Sequence, residues 1–115
     1  MKFDFSNTRI FVRPGSTDLR KGVSGLSFII RDGMNQKPMN NSVYIFCNKN
    51  RTLLKVLWWD KTGFWLAQKK LEEEKWPWPD SEDAAREITT EQTQLLLTGI
   101  DFWCAHKELY YSDID

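Results

Sequence analysis

The stretch that decides the fold is residues 43–79, VYIFCNKNRTLLKVLWWDKTGFWLAQKKLEEEKWPWP. It holds five of the six tryptophans, and Asn, Asp and Gly residues separate its apolar runs. Runs rich in Val, Ile, Phe and Trp between such residues are typical of strands joined by hairpins. We therefore predict three antiparallel strands and two turns in this stretch. The strands cover residues 43–48, 52–59 and 64–71, and the turns cover residues 48–51 and 60–63.

The second turn predicts the register of its hairpin. An Asp at the first position and a Gly at the fourth position of residues 60–63 suit a type I turn that ends in a left-handed glycine. A three-residue loop of this kind pairs Trp59 with Trp65 and Lys55 with Lys69.

Because side chains alternate between the faces of a strand, this register assigns two faces. The core face carries Leu54, Val56, Trp58, Phe64 and Leu66. The other face combines two indoles with two facing ammonium groups, and like charges in that position call for an anionic partner or for the acidic residues 72–74. The alternative is that a helix covers the tryptophans while both lysines extend into water.

The length of 115 residues fits a single domain. We predict one domain over residues 1–104 and a mobile acidic tail over residues 105–115. No apolar run approaches the ~20 residues that span a bilayer, and the N-terminus lacks an apolar signal segment. We therefore expect a cytoplasmic protein without membrane contact. Cys47 and Cys104 are expected as reduced thiols, with Cys47 buried, and no metal or cofactor site is predicted because the zinc-ligand spacing is absent.

The zero net charge conceals an asymmetry along the chain. Residues 1–78 hold 14 Lys and Arg against 7 Asp and Glu, whereas residues 79–115 hold 2 against 9. A basic body with an acidic tail favours an anionic partner for the body, although the acidic segment can also fold back and screen it.

The N-terminal part predicts a strand followed by a helix. Residues 8–13 alternate like a strand. Thr17 or Ser16 then suits the cap of a helix whose apolar stripe is formed by Leu19, Val23, Leu26 and Ile30. Arg20 and Lys21 would lie in the exposed first turn of that helix, where backbone N–H groups and cationic side chains suit a phosphate. The glycines do not follow a nucleotide-binding pattern.

The C-terminal part predicts a Trp-Pro segment and a second helix. Residues 75–79 should run extended along a sheet edge with their indoles packed on the domain, because alternate prolines lack the donors that an inner strand needs. Thr89 followed by Gln92 is typical of a capping box, and the helix should stop at Gly99. The predicted fold is α+β: an antiparallel sheet of about four strands with one packed helix and a C-terminal helix, or a partly closed barrel if residues 8–13 pair with the last central strand.

Several of these motifs together resemble a known family. Residues 17–22, TDLRKG, with the following Gly25-Leu26, are similar to the opening of the TnpB-type accessory proteins, the second-open-reading-frame proteins of insertion-sequence family sixty-six. The resemblance extends over roughly residues 9–101. Its central block is carried by Phe46, Asn48, Arg51, Lys55, Leu57, Trp59-Asp60, Gly63-Phe64-Trp65-Leu66 and Lys69-Lys70-Leu71. The sequence departs from the pattern at Leu19, where methionine is usual, at Lys70, where arginine is common, and at the acidic residues 73–74.

The resemblance implies a role in transposition beside a separate, larger transposase. From the residues, the leading hypothesis is a non-catalytic accessory factor that binds DNA through cationic and aromatic side chains. The residues assigned to this contact are Arg20, Lys21, Arg51, Lys55, Trp59, Trp65, Lys69 and Lys70. The alternative is an adaptor that holds the transposase or other accessory proteins of the element, because Trp and Arg also dominate protein interfaces. Homo-oligomer formation through a sheet edge is a further option.

A third hypothesis is a metal-dependent nuclease that uses Asp18, Asp60 and Glu72. It is disfavoured because Asp18 has a capping role and Asp60 a turn role, and because the only histidine, His106, lies in the predicted tail.

Overall fold

The computed structural model describes residues 7–81 and 83–99 of the chain. Five strands and two α-helices follow one another, and a π-helical turn, Ile29–Gly33, continues the first helix. The strands are β1 (Arg9–Val12), β2 (Ser42–Cys47), β3 (Leu53–Asp60), β4 (Gly63–Lys70) and β5 (Arg86–Ile88), and the helices are α1 (Val23–Phe28) and α2 (Thr90–Leu97).

The strands form one sheet in the order β4-β3-β2-β1-β5. β1 runs parallel to β2, whereas the other neighbours are antiparallel. The α+β class and the three central strands are confirmed. The sheet is mixed and has five strands, because the connection through α1 returns the chain parallel to β1, as a crossover of this length allows. The barrel alternative is wrong, since β1 pairs with β2 and β5 and not with β4.

Both faces of the sheet are covered, and alternation along the strands separates two cores. The face packed by α1, called the α1 face, buries Phe11, Tyr44, Phe46 and Leu57 beneath Leu26 and Ile30. The face packed by α2, called the α2 face, buries Ile10, Val12, Val43, Ile45, Leu54 and Ile88 beneath Trp76 and Leu96. β2 is buried along its whole length, because it lies at the centre of the sheet with a core on each side.

The first helix begins later than the sequence pattern predicts. α1 starts after Gly22, and Thr17 is not its cap. The Thr17 N–H donates to the carbonyl of Cys47 (2.8 Å), which holds this loop against the end of β2. Arg20 and Lys21 therefore precede the helix and do not lie in its first turn. Gly25 permits the close approach of Lys21 and not of the sheet, because a Cβ there would lie 2.8 Å from the Lys21 Cβ.

The predicted register of the β3–β4 hairpin is wrong by one residue. Asp60 pairs with Gly63, so the loop has two residues, and Lys61 carries the positive φ of 48° in place of the glycine. Two-residue loops are favoured in hairpins because their backbone matches the right-handed twist of the flanking strands. A slip of one residue turns every side chain of a strand to the other face. Trp65 consequently faces Trp58, and Lys55 faces Gln68.

The C-terminal prediction is confirmed for α2. The Thr89 side chain accepts from Gln92 N, the Gln92 side chain accepts from Thr89 N, and Gly99 adopts a positive φ of 84° after the last turn. The Trp-Pro segment does not follow an edge but crosses the α2 face from Arg51, whose carbonyl accepts from the Trp76 N–H, to Gly15, whose N–H donates to the Pro79 carbonyl. Its indoles pack on the domain as predicted, and Trp76 is only 2% exposed. β5 was not predicted, because its three residues lie in a polar stretch.

The predicted tail over residues 105–115 lies outside the described residues. Within the described part of the chain, no helix is long and apolar enough to span a membrane.

Candidate nucleic-acid interface

A cleft of about 520 Å³ opens at the end of the sheet where β1 and β2 finish and β3 begins. We call it the basic cleft. One wall is the loop of residues 16–20 and the other is the turn of residues 48–50. It is lined by Ser16, Thr17, Asp18, Leu19, Arg20, Asn48, Lys49, Asn50 and Leu53.

Hydrogen bonds fix both walls. Beside its bond to Cys47, Thr17 accepts from the Arg13 guanidinium through its hydroxyl (3.2 Å). In the opposite wall, Asn48 Oδ1 accepts from the N–H groups of Thr52 (2.9 Å) and Leu53 (3.1 Å). This Asx-type arrangement closes the turn. The cleft is therefore formed by anchored backbone, and ligand binding does not have to order it.

Charge inside the cleft comes from two cations and one carboxylate. Arg20 binds Asp18 through two bonds, Nε to Oδ1 (3.0 Å) and Nη2 to Oδ2 (2.9 Å), and its backbone N–H also donates to Oδ1 (3.1 Å). These bonds lower the pKa of Asp18 from 3.8 to about 2. Asp18 does not use Arg20 Nη1, and the Arg20 side chain is 91% exposed, so its remaining donors are accessible to a further anion.

Further lysines extend this charge along the α1 face. Lys70 lies opposite Leu53, which lines the cleft, and Lys55 lies two residues further along β3 on the same face. Lys49 also lines the cleft, although it is not among the predicted site residues. Its position in a turn rich in Asn and Lys could have indicated a contact with an anion. The exposed residues 72–74 follow β4 at this end, and they form none of the salt bridges between described residues.

The predicted surface with both indoles and both lysines does not form. Trp59 lies on the α1 face and packs edge-on against Phe64 with ring centroids 5.0 Å apart. Trp65 lies on the α2 face, is 49% exposed and stacks on Trp58 at 6.3 Å. Both predicted tryptophans also lie toward the opposite end of the sheet, since Trp59 is six residues, or ~20 Å, along β3 from the cleft.

Lys69 and Arg51 have structural contacts away from the cleft. Lys69 Nζ donates to the carbonyl of Leu97 (2.9 Å) at the end of α2 and lies 5.7 Å from the Trp76 ring centroid. The Arg51 carbonyl accepts from Trp76 N–H (2.6 Å), and Arg51 has a positive φ of 63°. Its side chain lies beside the buried Cys47 thiol, whose pKa is raised to about 11 by burial although Arg51 acts in the opposite direction. Of the predicted site residues, the structure therefore brings Arg20, Lys21, Lys55 and Lys70 to one end of the α1 face.

A second concave surface lies on the α2 face. A groove of about 300 Å³ runs between β3, β4 and the end of α2. We call it the apolar groove. It is lined by Leu54, Val56, Trp58, Ala67, Gln68, Lys69 and Leu97. The exposed Trp65 adjoins it through its stack on Trp58, and its Nε1 donates to Asp60 (3.1 Å).

The carboxylates of the nuclease hypothesis are not gathered at one place. Asp18 lies in the basic cleft and binds Arg20, whereas Asp60 accepts from Trp65 at the opposite end of the sheet. Among the described residues, no three His, Cys, Asp or Glu side chains come together in a way that could hold a metal ion.

The family model for IS66 Orf2-like proteins matches residues 8–107 of the chain. The chain belongs to the IS66 Orf2-like family. It is 32% identical over 96 residues to the uncharacterized protein y4hO of Sinorhizobium fredii, which covers 84% of each chain. It is 30% identical over 94 residues to the uncharacterized protein y4jC of the same organism, which covers 82% of this chain and 80% of the relative. No solved structure shows a significant match.

Membership of the IS66 Orf2-like family links the chain to an insertion sequence and to an accessory role in transposition. Two motif blocks that carry the resemblance meet at the basic cleft. Residues 17–20 of the first block lie in one wall, and Asn48 of the central block lies in the other. In this IS66 Orf2-like protein, segments about thirty residues apart in sequence thus converge on one surface feature.

Proposed function

We propose that this protein is a non-catalytic accessory factor in transposition that binds DNA through the basic cleft and the lysines beside it. The observation that carries the proposal is the gathering of Arg20, Lys21, Lys49, Lys55 and Lys70 at one end of the α1 face, while the carboxylate in the cleft, Asp18, is already bound to Arg20. Lys and Arg side chains on one surface supply the electrostatic part of DNA affinity.

The cations differ in what they offer a phosphate. Lys49, Lys55 and Lys70 are point charges, and Arg20 presents the part of its planar guanidinium that Asp18 leaves open. Phosphate contacts of this kind position a protein on DNA and carry no sequence information by themselves. The proposed role is therefore backbone binding that holds the element's DNA for the transposase, which performs the strand-transfer chemistry. Its cytoplasmic location stays a prediction from the sequence.

A fluorescence-anisotropy titration of duplex DNA over a series of salt concentrations tests the proposal. The logarithm of the affinity should fall linearly with the logarithm of salt concentration. Lys49→Glu and Lys70→Glu should each weaken binding. Each should also reduce the steepness of the plot of log affinity against log salt concentration by about one, because one phosphate contact is lost. Lys61→Glu makes the same charge change in the turn at the far end of the sheet and is the matched control. Binding that is absent at low salt, or that does not respond to salt, would contradict the proposal.

A second function, an adaptor for the transposase, is favoured by the apolar groove. An indole that is 49% exposed beside a concave apolar surface is a typical anchor of a protein interface. The proposed partner is an apolar segment of the same element's transposase, because the family is that of an accessory protein. Lys69 at the rim is already bound to the Leu97 carbonyl, so the segment need not be acidic.

Co-purification of the transposase with this protein after nuclease treatment tests the adaptor function. The wild type should retain the transposase, and Trp65→Ser should lose it while the elution volume of the protein alone stays that of the wild type. Phe28→Ser removes an aromatic side chain of α1 that is 62% exposed and serves as the control. Retention of the transposase by Trp65→Ser, or its loss in both variants, argues against the groove as the docking site.

A further inference from the structure

The basic cleft has the size of a small-ligand site and not that of a surface for a duplex. Its volume of about 520 Å³ lies within the ~300–1,000 Å³ typical of pockets for small molecules. An intact duplex presents phosphates on its outside and keeps its bases stacked inside, where proteins reach them only through the grooves. A cleft of this size can therefore receive only a group that projects from the DNA, such as an unpaired nucleotide.

The lining is ordered as a nucleotide requires. Leu19 and Leu53 form an aliphatic floor that suits the flat face of a base, since enzymes that bind extruded bases hold them between apolar or aromatic side chains. Ser16 and Asn50 lie on opposite walls and offer neutral polar groups to the base edge. Lys49 lies in the wall beside Asn50, where it can meet the phosphate of the same nucleotide.

Asp18 decides which end of the nucleotide enters. Its carboxylate has a pKa of about 2 and is therefore charged at neutral pH. A phosphate placed against Asp18 would be repelled, whereas the exocyclic amino group of a base can donate to a carboxylate oxygen. Asp18 holds the Arg20 guanidinium through Nε and Nη2, and the exposed Arg20 side chain keeps further donors for a phosphate at the rim. The electrostatics favour the base inside and the phosphate at the rim.

We propose that the basic cleft binds one unpaired nucleotide, so that the protein prefers DNA with a single-stranded end or segment over closed duplex. This inference rests on the proposed DNA-binding function and specifies its ligand. The walls are anchored to the ends of β1 and β2, so the site exists before the nucleotide arrives and little ordering is required. In transposition, unpaired nucleotides arise where strands are cut or separated, which makes them a mark of DNA that is being processed.

Anisotropy titrations of the full-length protein with three DNA probes of equal phosphate number test the inference. The probes are a dumbbell duplex whose ends are closed by non-nucleotide linkers, a duplex with an unpaired 3′ extension, and a mixed-sequence single strand. The wild type should bind the extended duplex and the single strand about tenfold or more tightly than the dumbbell, because one base contributes its full apolar contact. Measurements at constant low salt keep the backbone contribution similar between the two duplex probes, whereas the single strand has a lower charge density and would bind more weakly through its phosphates alone.

Variants that fill the cleft test whether the preference for unpaired DNA arises there. Ser16→Trp and Asn50→Trp change exposed residues on opposite walls, and each should reduce the ratio of extended-duplex to dumbbell affinity toward one. Thr62→Trp adds the same side chain at the exposed far turn and should keep the wild-type ratio. Thermal unfolding of the three variants verifies that they are folded.

The outcomes separate the inference from the function on which it rests. Equal affinity of the wild type for all three probes overturns the inference and leaves DNA binding standing. A preference that survives in both Ser16→Trp and Asn50→Trp overturns the assignment to this cleft. Absence of binding to every probe removes the proposed function together with the inference.

Discussion

The basic cleft and the apolar groove lie on opposite faces of one sheet and differ in the side chains that dominate their walls. The basic cleft on the α1 face has polar, cationic walls made by loops, whereas the apolar groove on the α2 face has walls made by strands and a helix. The difference arises from how each face is covered. The α1 face is packed by a continuous segment in which Leu19, Leu26, Ile30 and Met34 are buried, and its loop end stays open. The α2 face depends on the Trp-Pro segment and a helix of eight residues, which leave part of β3 and β4 uncovered.

Because side chains alternate between the two faces of the sheet, adjacent residues of one strand contribute to different surfaces. Lys69 and Lys70 are neighbours in β4, yet Lys69 binds the end of α2 while Lys70 lies beside the cleft. The same alternation places Trp58 beside the groove and Trp59 on the α1 face. Four experiments test this separation.

The largest expected effect comes from Trp76→Ala, which removes the main cover of the α2 face. Trp76 is 2% exposed, so a cavity should remain and unfolding should require about 3–5 kcal/mol less free energy. Trp65→Ala, on the same face but 49% exposed, should cost below about 1 kcal/mol. Guanidinium unfolding followed by circular dichroism measures both. Equal losses would mean that Trp65 is covered and that the groove is closed in solution.

The second test compares the neighbouring lysines. Lys70→Gln should weaken DNA binding several-fold and lower the salt slope by about one, because it removes a phosphate contact. Lys69→Gln should leave DNA binding unchanged and cost about 1 kcal/mol of stability, because the Leu97 carbonyl loses a charged donor at the negative end of α2. Salt-dependent anisotropy and urea unfolding of both variants give the two readouts. The reverse pattern would place the DNA surface on the α2 face.

The third test weakens only the cover of the α2 face. Thr89→Ala removes the side chain that caps α2 and should cost about 1 kcal/mol. Since the helix lies on the other face from the cleft, DNA affinity at a temperature where the variant is folded should equal that of the wild type. A parallel loss of DNA affinity would show that the two surfaces are coupled.

The smallest effect is expected from Asp18→Asn in the cleft. Loss of the carboxylate frees Arg20 and should raise affinity for closed duplex by roughly two- to fivefold at low salt. The folded-state pKa of about 2 lies below the ordinary 3.8, so the pair contributes stability above about pH 4 and loses it as pH falls toward 2. Between about pH 5 and pH 8 the pair does not titrate, and affinity should not change through Asp18. A titration step in that window that Asp18→Asn abolishes would contradict this assignment.

Local sequence patterns predicted much of the fold but only part of the candidate site. The central strands, β1 and the capping box at Thr89 were predictable, since each depends on neighbours in sequence. The face assignments in β4 were wrong because its hairpin loop has two residues and not three. This change turns every side chain of β4 to the other face while the local sequence pattern stays the same. The predicted start of α1 was wrong because the Thr17 N–H donates to the carbonyl of Cys47. This partner is thirty residues away in sequence, and no local pattern reveals it.

The parallel pairing of β1 and β2 has a consequence for how this protein can change. Because both strands point the same way, the chain leaves each of them at the same rim of the sheet, and the two walls of the cleft grow from separate exits. Residues 14–21 and 48–52 are therefore two separate loops at one rim, and each is tied to the layers beneath it, the first by the buried Leu19 and the second by the Arg51 carbonyl. Grafting either segment from a relative should alter what the rim recognises as long as these two anchors are kept.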